Sequence, residues 1–432
     1  MKKMMVGLVL LGFALSLMTG CGGDSSSDSV DSSIDLSTKA LLGEQLFADK
    51  NLSFNRTQSC ATCHNPKQGL VDDRGHDGIT GTPFAASLGD NGVSLGDRNA
   101  PTASYAAFSP IFKEGSRERV ASQQTSGVEN YEGFLGGQFL DGREADLAGQ
   151  AGGPPTNPTE MGMPDNISVV ERLKGNPDYV VAFENLYGID IFDDADIAYA
   201  AMAESIAAFE TQDAEQFYPF DSKYDRYLLG HYEYPVTSKA IFGKTLFFSS
   251  DLTCASCHQL QKMGEKGEIF TSFEYHNIGI PTNTLLREAN GVDVDFIDEG
   301  LFLNAAVDAE TERGKFKVPT LRNVAVTAPY MHNGVFQKLD TVIRFYEHAK
   351  TRALGKADTV GNESNPETGL PWAAPELADN LADDLLGSND TPIDDDIAAA
   401  LECFFLSLTD ARYESLLDPD QVSNCGLDNT DP

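Results

Sequence analysis

Four cysteines and two histidines fall into two tight clusters, Cys60-Ala61-Thr62-Cys63-His64 and Cys254-Ala255-Ser256-Cys257-His258. Two thiols separated by two residues can both add to the vinyl groups of one haem. The adjacent His then lies beneath the iron as its proximal ligand. With seven Cys and seven His in 432 residues, one such cluster would arise by chance roughly 0.002 times. A zinc site would need further ligands near each cluster, and no second Cys pair is there. A thioredoxin-like motif does not require the following His. The spacing therefore predicts two covalently attached c-type haems, with Cys60, Cys63, Cys254 and Cys257 as attachment points and His64 and His258 as iron ligands.

The elements that must position these clusters form a partial internal copy. Gly43, Leu46, Phe47 and Leu52 match Gly243, Leu246, Phe247 and Leu252 at a constant offset of 200. The first copy carries six extra residues, Phe54 to Ser59, before its first Cys. One shared pattern with one small insertion suggests duplication of a domain. In both copies the Gly-x-x-Leu-Phe segment reads as a short amphipathic helix leading into the haem-binding loop. Apolar helices are predicted at Asp194–Glu210 and Asp395–Leu408. The expected fold is mainly α, with two cytochrome c-like haem domains at 36–218 and 219–412 related by internal duplication. A polar tail follows at 413–432. Cys403, in the last helix, and Cys425, in the tail, either pair as a disulfide or stand as independent thiols.

Residues 1–21 read as an address. Lys2 and Lys3 precede an apolar run from Met4 to Met18, too short for a good membrane span. Thr19-Gly20-Cys21 follows and resembles a bacterial lipobox, in which the mature N-terminal Cys receives lipid. Ordinary cleavage, with Cys21 as a spare thiol, is the alternative. The Ser/Asp-rich stretch over 22–35 cannot bury a core and reads as a flexible tether. The expected location is the periplasmic side of a bacterial envelope, anchored through lipid on Cys21. Export also suits covalent haem attachment.

The composition, 41% hydrophobic and 22% charged, is that of a globular chain and excludes a disordered or collagen-like one. Acidic residues outnumber basic ones by 66 to 31, a net charge of -35, which argues against nucleic-acid binding. The acid-rich stretches 190–196 and 379–396 read as solvated helix starts and loops, though a cationic electron-donor protein could dock on such a surface.

Further motifs carry a resemblance. Phe316-Lys317-Val318-Pro319-Thr320-Leu321-Arg322-Asn323-Val324 runs into Ala328-Pro329-Tyr330-Met331-His332-Asn333-Gly334. Upstream stand Arg98-Asn99-Ala100-Pro101-Thr102, Asp141-Gly142-Arg143 and Asn157-Pro158-Thr159-Glu160-Met161. In this order they strongly resemble the signature of the bacterial di-haem cytochrome c peroxidase and MauG family, from about Leu42 to Asp410. The resemblance implies an N-terminal haem that reacts with peroxide and a C-terminal haem that receives electrons. It places a distal Glu on Glu160, a distal Gln on Gln150 and a pocket-lining Pro on Pro154. Taken alone, Glu160 would read as a surface carboxylate.

The resemblance also places a second axial ligand of the C-terminal haem on Tyr346, where typical peroxidases carry Met and MauG-type enzymes carry Tyr. The alternative is a core aromatic at 346 with His348 or another group on the iron. A calcium ion would be held by Asn99 and the carbonyls of Thr327 and Pro329, unless Asn99 simply caps a turn. His76 is the candidate for a ligand that caps the N-terminal haem, and a solvated loop His is the bland reading. His276 and His332 read as packing or hydrogen-bonding residues near the C-terminal haem. One departure stands out: the family commonly has Trp before Asp-Gly-Arg, and here Leu140 precedes Asp141. Electrons must then pass between the haems by another route, through Phe139 or a direct gap. The expected function is a di-haem peroxidase that reduces hydrogen peroxide with electrons from a small redox protein. The alternatives are a MauG-like oxidase acting on a partner protein's side chain and a non-catalytic electron-transfer lipoprotein.

Overall fold

Helix termini follow directly from the local sequence. Thr38 caps the helix Lys39–Ala48 by accepting from Leu41 N, and Ser238 caps Lys239–Phe247 by accepting from Ala240 N. Asp194 caps Ala195–Gln212, and Asp394 caps Asp395–Leu406. Asp196, Asp395 and Asp396 add negative charge to those first turns, where the helix dipole favours it.

The computed structural model describes residues 34–74, 85–118, 130–260, 267–293 and 295–427. The leader with Cys21, all but the last two residues of the tether, and His76 lie outside the described residues. The architecture is mainly helical. The described strands form two antiparallel pairs, Lys113–Arg117 with Tyr131–Leu135 and Tyr275–His276 with Phe316–Lys317. From Leu36 onward the described residues belong to one compact unit. No described helix is long and apolar enough to cross a membrane.

Two helix crossings organise the body. Lys39–Ala48 crosses Ala195–Gln212 so closely that a Cβ on Gly43 would lie 1.9 Å from Ser205 O. Lys239–Phe247 crosses Asp395–Leu406 in the same way, and a Cβ on Gly243 would lie 1.8 Å from Ala400 O. Only glycine permits this backbone-to-backbone contact. Around the first crossing pack Leu42, Leu46, Phe47, Met202, Ile206 and Phe209; around the second pack Phe247, Leu401, Phe404 and Phe405.

Beyond Asp410 the chain stays on the body. Cys403 and Cys425 form a disulfide. Leu417, Cys425 and Leu427 are buried against Tyr232, Tyr234 and Ala240. Ser238 Oγ donates to Cys425 O at 2.8 Å, which ties the same segment to the start of Lys239–Phe247.

Gly43→Ala and Gly243→Ala should each push a helix pair apart, at a cost on the order of 1–3 kcal/mol. Denaturant unfolding checks this, with Gly96→Ala as the control, because a Cβ there has 3.8 Å to its nearest neighbour.

Candidate functional site

Each Cys-x-x-Cys stretch is a single helical turn, Cys60–Cys63 and Cys254–Cys257, which puts both thiols of a pair on one face. The following His closes the turn: His64 N donates to Cys60 O at 2.8 Å and His258 N to Cys254 O at 3.0 Å. His64 Nδ1 lies 3.2 Å from Leu70 O, and His258 Nδ1 lies 3.2 Å from Phe270 O. A carbonyl can only accept, so each Nδ1 carries the proton and each Nε2 keeps a free lone pair. Burial lowers the pKa of both rings, that of His258 to about 4, so the imidazoles are neutral as a metal ligand must be.

Both clusters open onto cavities. One of about 400 Å³ is lined by Cys60, Cys63 and His64. The other, about 370 Å³, is lined by Cys254, Cys257 and His258. A thiol pair, a neutral imidazole with Nε2 free and a mostly apolar slot fit a covalently attached haem in each half.

The first cavity gathers Gln150, Pro154 and Glu160 with the N-terminal cluster. Gln150 sits on the short helix Leu147–Gly152, and Pro154 opens the 3₁₀ turn Pro154–Thr156. The loop then folds back on itself: Met161 N donates to Pro154 O and Met163 N to Pro155 O, at 3.2 and 2.9 Å. This holds Glu160 over the same space. Burial raises the affinity of Glu160 for a proton; the Arg143 charge and a 3.0 Å hydrogen bond from Asn157 Nδ2 oppose that without cancelling it.

Sequence reasoning missed Asp90. Its carboxylate accepts from Ser53 Oγ at 2.7 Å, Asn55 N at 2.5 Å and Thr57 Oγ1 at 2.6 Å, organising the inserted loop of the first half. Its own backbone N donates to Glu160 O at 2.7 Å. An Asp in Gly89-Asp90-Asn91-Gly92 carries no local signal beyond a polar turn.

The second cavity contains Tyr346, projected from the helix Leu339–Ala353. His348, two residues on, is not in the lining. It stacks on Trp372 with ring centroids 5.4 Å apart and bonds Asp358 through Nδ1 at 2.8 Å. His276 and His332 do line the cavity. His276 Nε2 lies 2.9 Å from Glu274, and His332 stacks on Phe316 at 3.7 Å.

A wall separates the two spaces. Asn99, Ala100, Pro101, Thr102, Ala106 and the run Gln138–Leu140 line both cavities. Among them stands no Trp, Tyr or Met. Arg98 fixes this wall through 2.6 Å ion pairs to Asp141 and to Asp298, all three groups nearly buried. Asn99 Nδ2 lies 2.7 Å from Pro329 O, and Thr327 shares the same lining. Turned over, that amide would set its oxygen beside the Pro329 carbonyl, and oxygen is the donor type calcium favours. Among the described residues there is no cluster of three or more His, Cys, Asp or Glu with metal-binding geometry.

Arg98→Met should cost about 3–5 kcal/mol, because it leaves Asp298 buried without its ion pair and Asp141 with Arg143 alone. Burial opposes ionisation of Asp298, but the Arg98 hydrogen bonds and charge outweigh it and hold its pKa low. A depressed folded-state pKa gives stability that is present above the unfolded value and is lost as pH falls through the folded one. Acid unfolding of the native chain should therefore show this loss, and Arg98→Met should lack Asp298's share of it.

Comparison with known proteins agrees with this geometry. Residues 37–233 match the family described as di-haem cytochrome c peroxidase. The chain is 45% identical over 386 residues to the methylamine utilization protein MauG of Paracoccus denitrificans, covering 89% of this chain and 92% of that protein. It is 30% identical over 306 residues to the cytochrome c peroxidase Ccp of Escherichia coli, covering 71% of this chain and 52% of that protein. The solved structure of the diheme peroxidase BthA from Burkholderia thailandensis aligns with a TM-score of 0.67 at 27% identity, over 89% of this chain and 88% of that one. With paired haem-attachment turns, each opening on its own cavity, the chain belongs to the di-haem cytochrome c peroxidase and MauG family of oxidoreductases.

Proposed function

We propose that the protein reduces hydrogen peroxide at the haem held by Cys60, Cys63 and His64. Cys254, Cys257 and His258 would hold a second haem, which would supply electrons from a small redox protein. The observation that carries this reading is the convergence of Glu160, Gln150 and Pro154 on the N-terminal cavity. When bound there, haem supplies an open metal face and a store of electrons for breaking the O–O bond. The chain's own residues supply the proton chemistry. Glu160 takes the proton of the near peroxide oxygen and returns it to the leaving oxygen, so that two electrons and two protons convert peroxide to two waters. Gln150 orients the peroxide through its amide, and Pro154 shapes the space beside it.

A second reading, a MauG-like oxidase that modifies a side chain of a partner protein, is favoured by Tyr346 in the C-terminal cavity. Tyr346 would offer a haem held there a phenolic oxygen, a harder donor than a thioether and one that would favour oxidised states. The halves 36–218 and 219–412 then serve as peroxidatic and electron-transfer domains. Their matched glycine crossings support descent from one duplicated domain. Calcium held by Asn99, Thr327 and Pro329 would brace the wall between the cavities. Export and a lipid on Cys21 complete the reading and rest on the sequence of the leader.

Glu160→Gln should lower peroxide turnover by about 10²–10⁴-fold with haem content unchanged. Because the ionised carboxylate is the active base and burial raises its pKa, the native rate should rise with pH and half-saturate above the ordinary carboxylate range. That limb should vanish in Glu160→Gln; a steady-state pH profile of both proteins checks it. Fully ferric, calcium-loaded protein mixed with one equivalent of peroxide and no donor separates the two readings. A prompt, persistent visible and near-infrared change that is lost in Tyr346→Phe favours the MauG-like one. No reaction until one haem is reduced favours the peroxidase.

A further inference from the structure

The two glycine contacts give a structural register between the halves. Gly43 meets Ser205 O and Gly243 meets Ala400 O, so Ser205 matches Ala400. One residue further on, Ile206 matches Leu401, and each lines its own cavity. One helical turn beyond that, Glu210 matches Phe405, and again each lines its own cavity. Phe47 and Phe247 complete the correspondence on the opposing helices. At one equivalent position, then, the C-terminal half presents a phenyl ring and the N-terminal half a carboxyl.

Glu210 is only 4% exposed and has no hydrogen-bond or ion-pair partner among the described residues. A buried carboxylate without a partner is costly, so it rests as the neutral acid. Burial alone pushes its pKa up to about 8. The other titratable groups lining the same cavity are His64, Asp97, Arg98, Asp141, Arg143, Glu160 and the two haem-attaching thiols. None of them shifts Glu210, though its charge would be felt at Cys60. On the packed helix Lys39–Ala48, Lys39 is paired with Glu204 and Glu44 is exposed. Asp213, just beyond on its own helix, is engaged with Gln216 N.

We propose that Glu210 is the redox-linked proton group of the N-terminal haem, protonated while the iron is ferrous and deprotonated once it is ferric. As one electron reaches the iron from the second haem, the carboxylate takes one proton from water and its O–H bond forms; when the iron gives that electron up, the O–H bond breaks and the proton returns to water. The charge enclosed in the cavity is thereby kept constant, which a low-dielectric site favours. The C-terminal half, with Phe405 at the matching place, exchanges electrons without this proton. This rests on haem attachment at Cys60 and Cys63.

The test is an equilibrium redox titration of the holoprotein across neutral to mildly alkaline pH, with each haem followed by its own spectrum. The N-terminal midpoint should fall with rising pH, approaching a tenfold change in the redox equilibrium per pH unit, about 59 mV for one electron. The slope should flatten in Glu210→Gln and in Glu210→Phe, which copies the other half. An unchanged slope in either variant overturns the proposal and assigns the proton elsewhere, for instance to a haem propionate. Oxidised-minus-reduced infrared spectra of native protein and of Glu160→Gln need no change at Glu210. Both should lose a protonated-carboxyl band on oxidation, and its absence also overturns the proposal. Intact mass gives the number of attached haems, so a native protein with fewer than two would refute the haem assignment instead.

Discussion

Contact between backbones at two glycines is the constraint on which the body depends. Where Gly43 rests on Ser205 O and Gly243 on Ala400 O, the paired helices approach more closely than any side chain allows. That closeness aims one row of each long helix, Ile206 with Glu210 and Leu401 with Phe405, at the space beside a Cys-x-x-Cys turn.

The wall between the cavities is built on a different principle. Its backbone segments come from distant stretches, 99–102 and 138–140, and they are joined by charge. Arg98 reaches Asp141 in the first half and Asp298 in the second. Buried ion pairs of this kind add little net stability, but they fix geometry because removing one partner is so costly. The lining shared by both cavities includes Leu140 and Phe139, and it lacks an easily oxidised ring such as indole or phenol.

The loop before the first Cys-x-x-Cys turn helps set Glu160. Its six residues Phe54 to Ser59, which have no counterpart before the second turn, are folded around Asp90. Asp90 in turn holds the backbone of Glu160. The second half lacks this loop and presents Tyr346 to its cavity. The chemical difference between the halves is thus carried by loops and by single positions laid on a common pair of helix crossings.

The sequence by itself determined whatever is local. The Cys-x-x-Cys-His turns, the capped helices beginning after Asp194 and Asp394, and the small residue at Gly43 and Gly243 are all legible because spacing of 3 or 4 residues already sets which groups share a face. Glu160, Gln150 and Tyr346 were reachable only by resemblance, since nothing in their own neighbourhoods sets them apart from surface or core residues. Tertiary structure decided the rest. Arg98 meets Asp298 across 200 positions, Asp90 meets Glu160, and His348 turns to Trp372 and away from the cavity that Tyr346 lines. It also decided that Cys403 pairs with Cys425 and that Glu210 occupies the place of Phe405. These facts depend on how helices cross, and a crossing is fixed by side-chain volume and charge summed over the whole fold, which no short window of sequence contains.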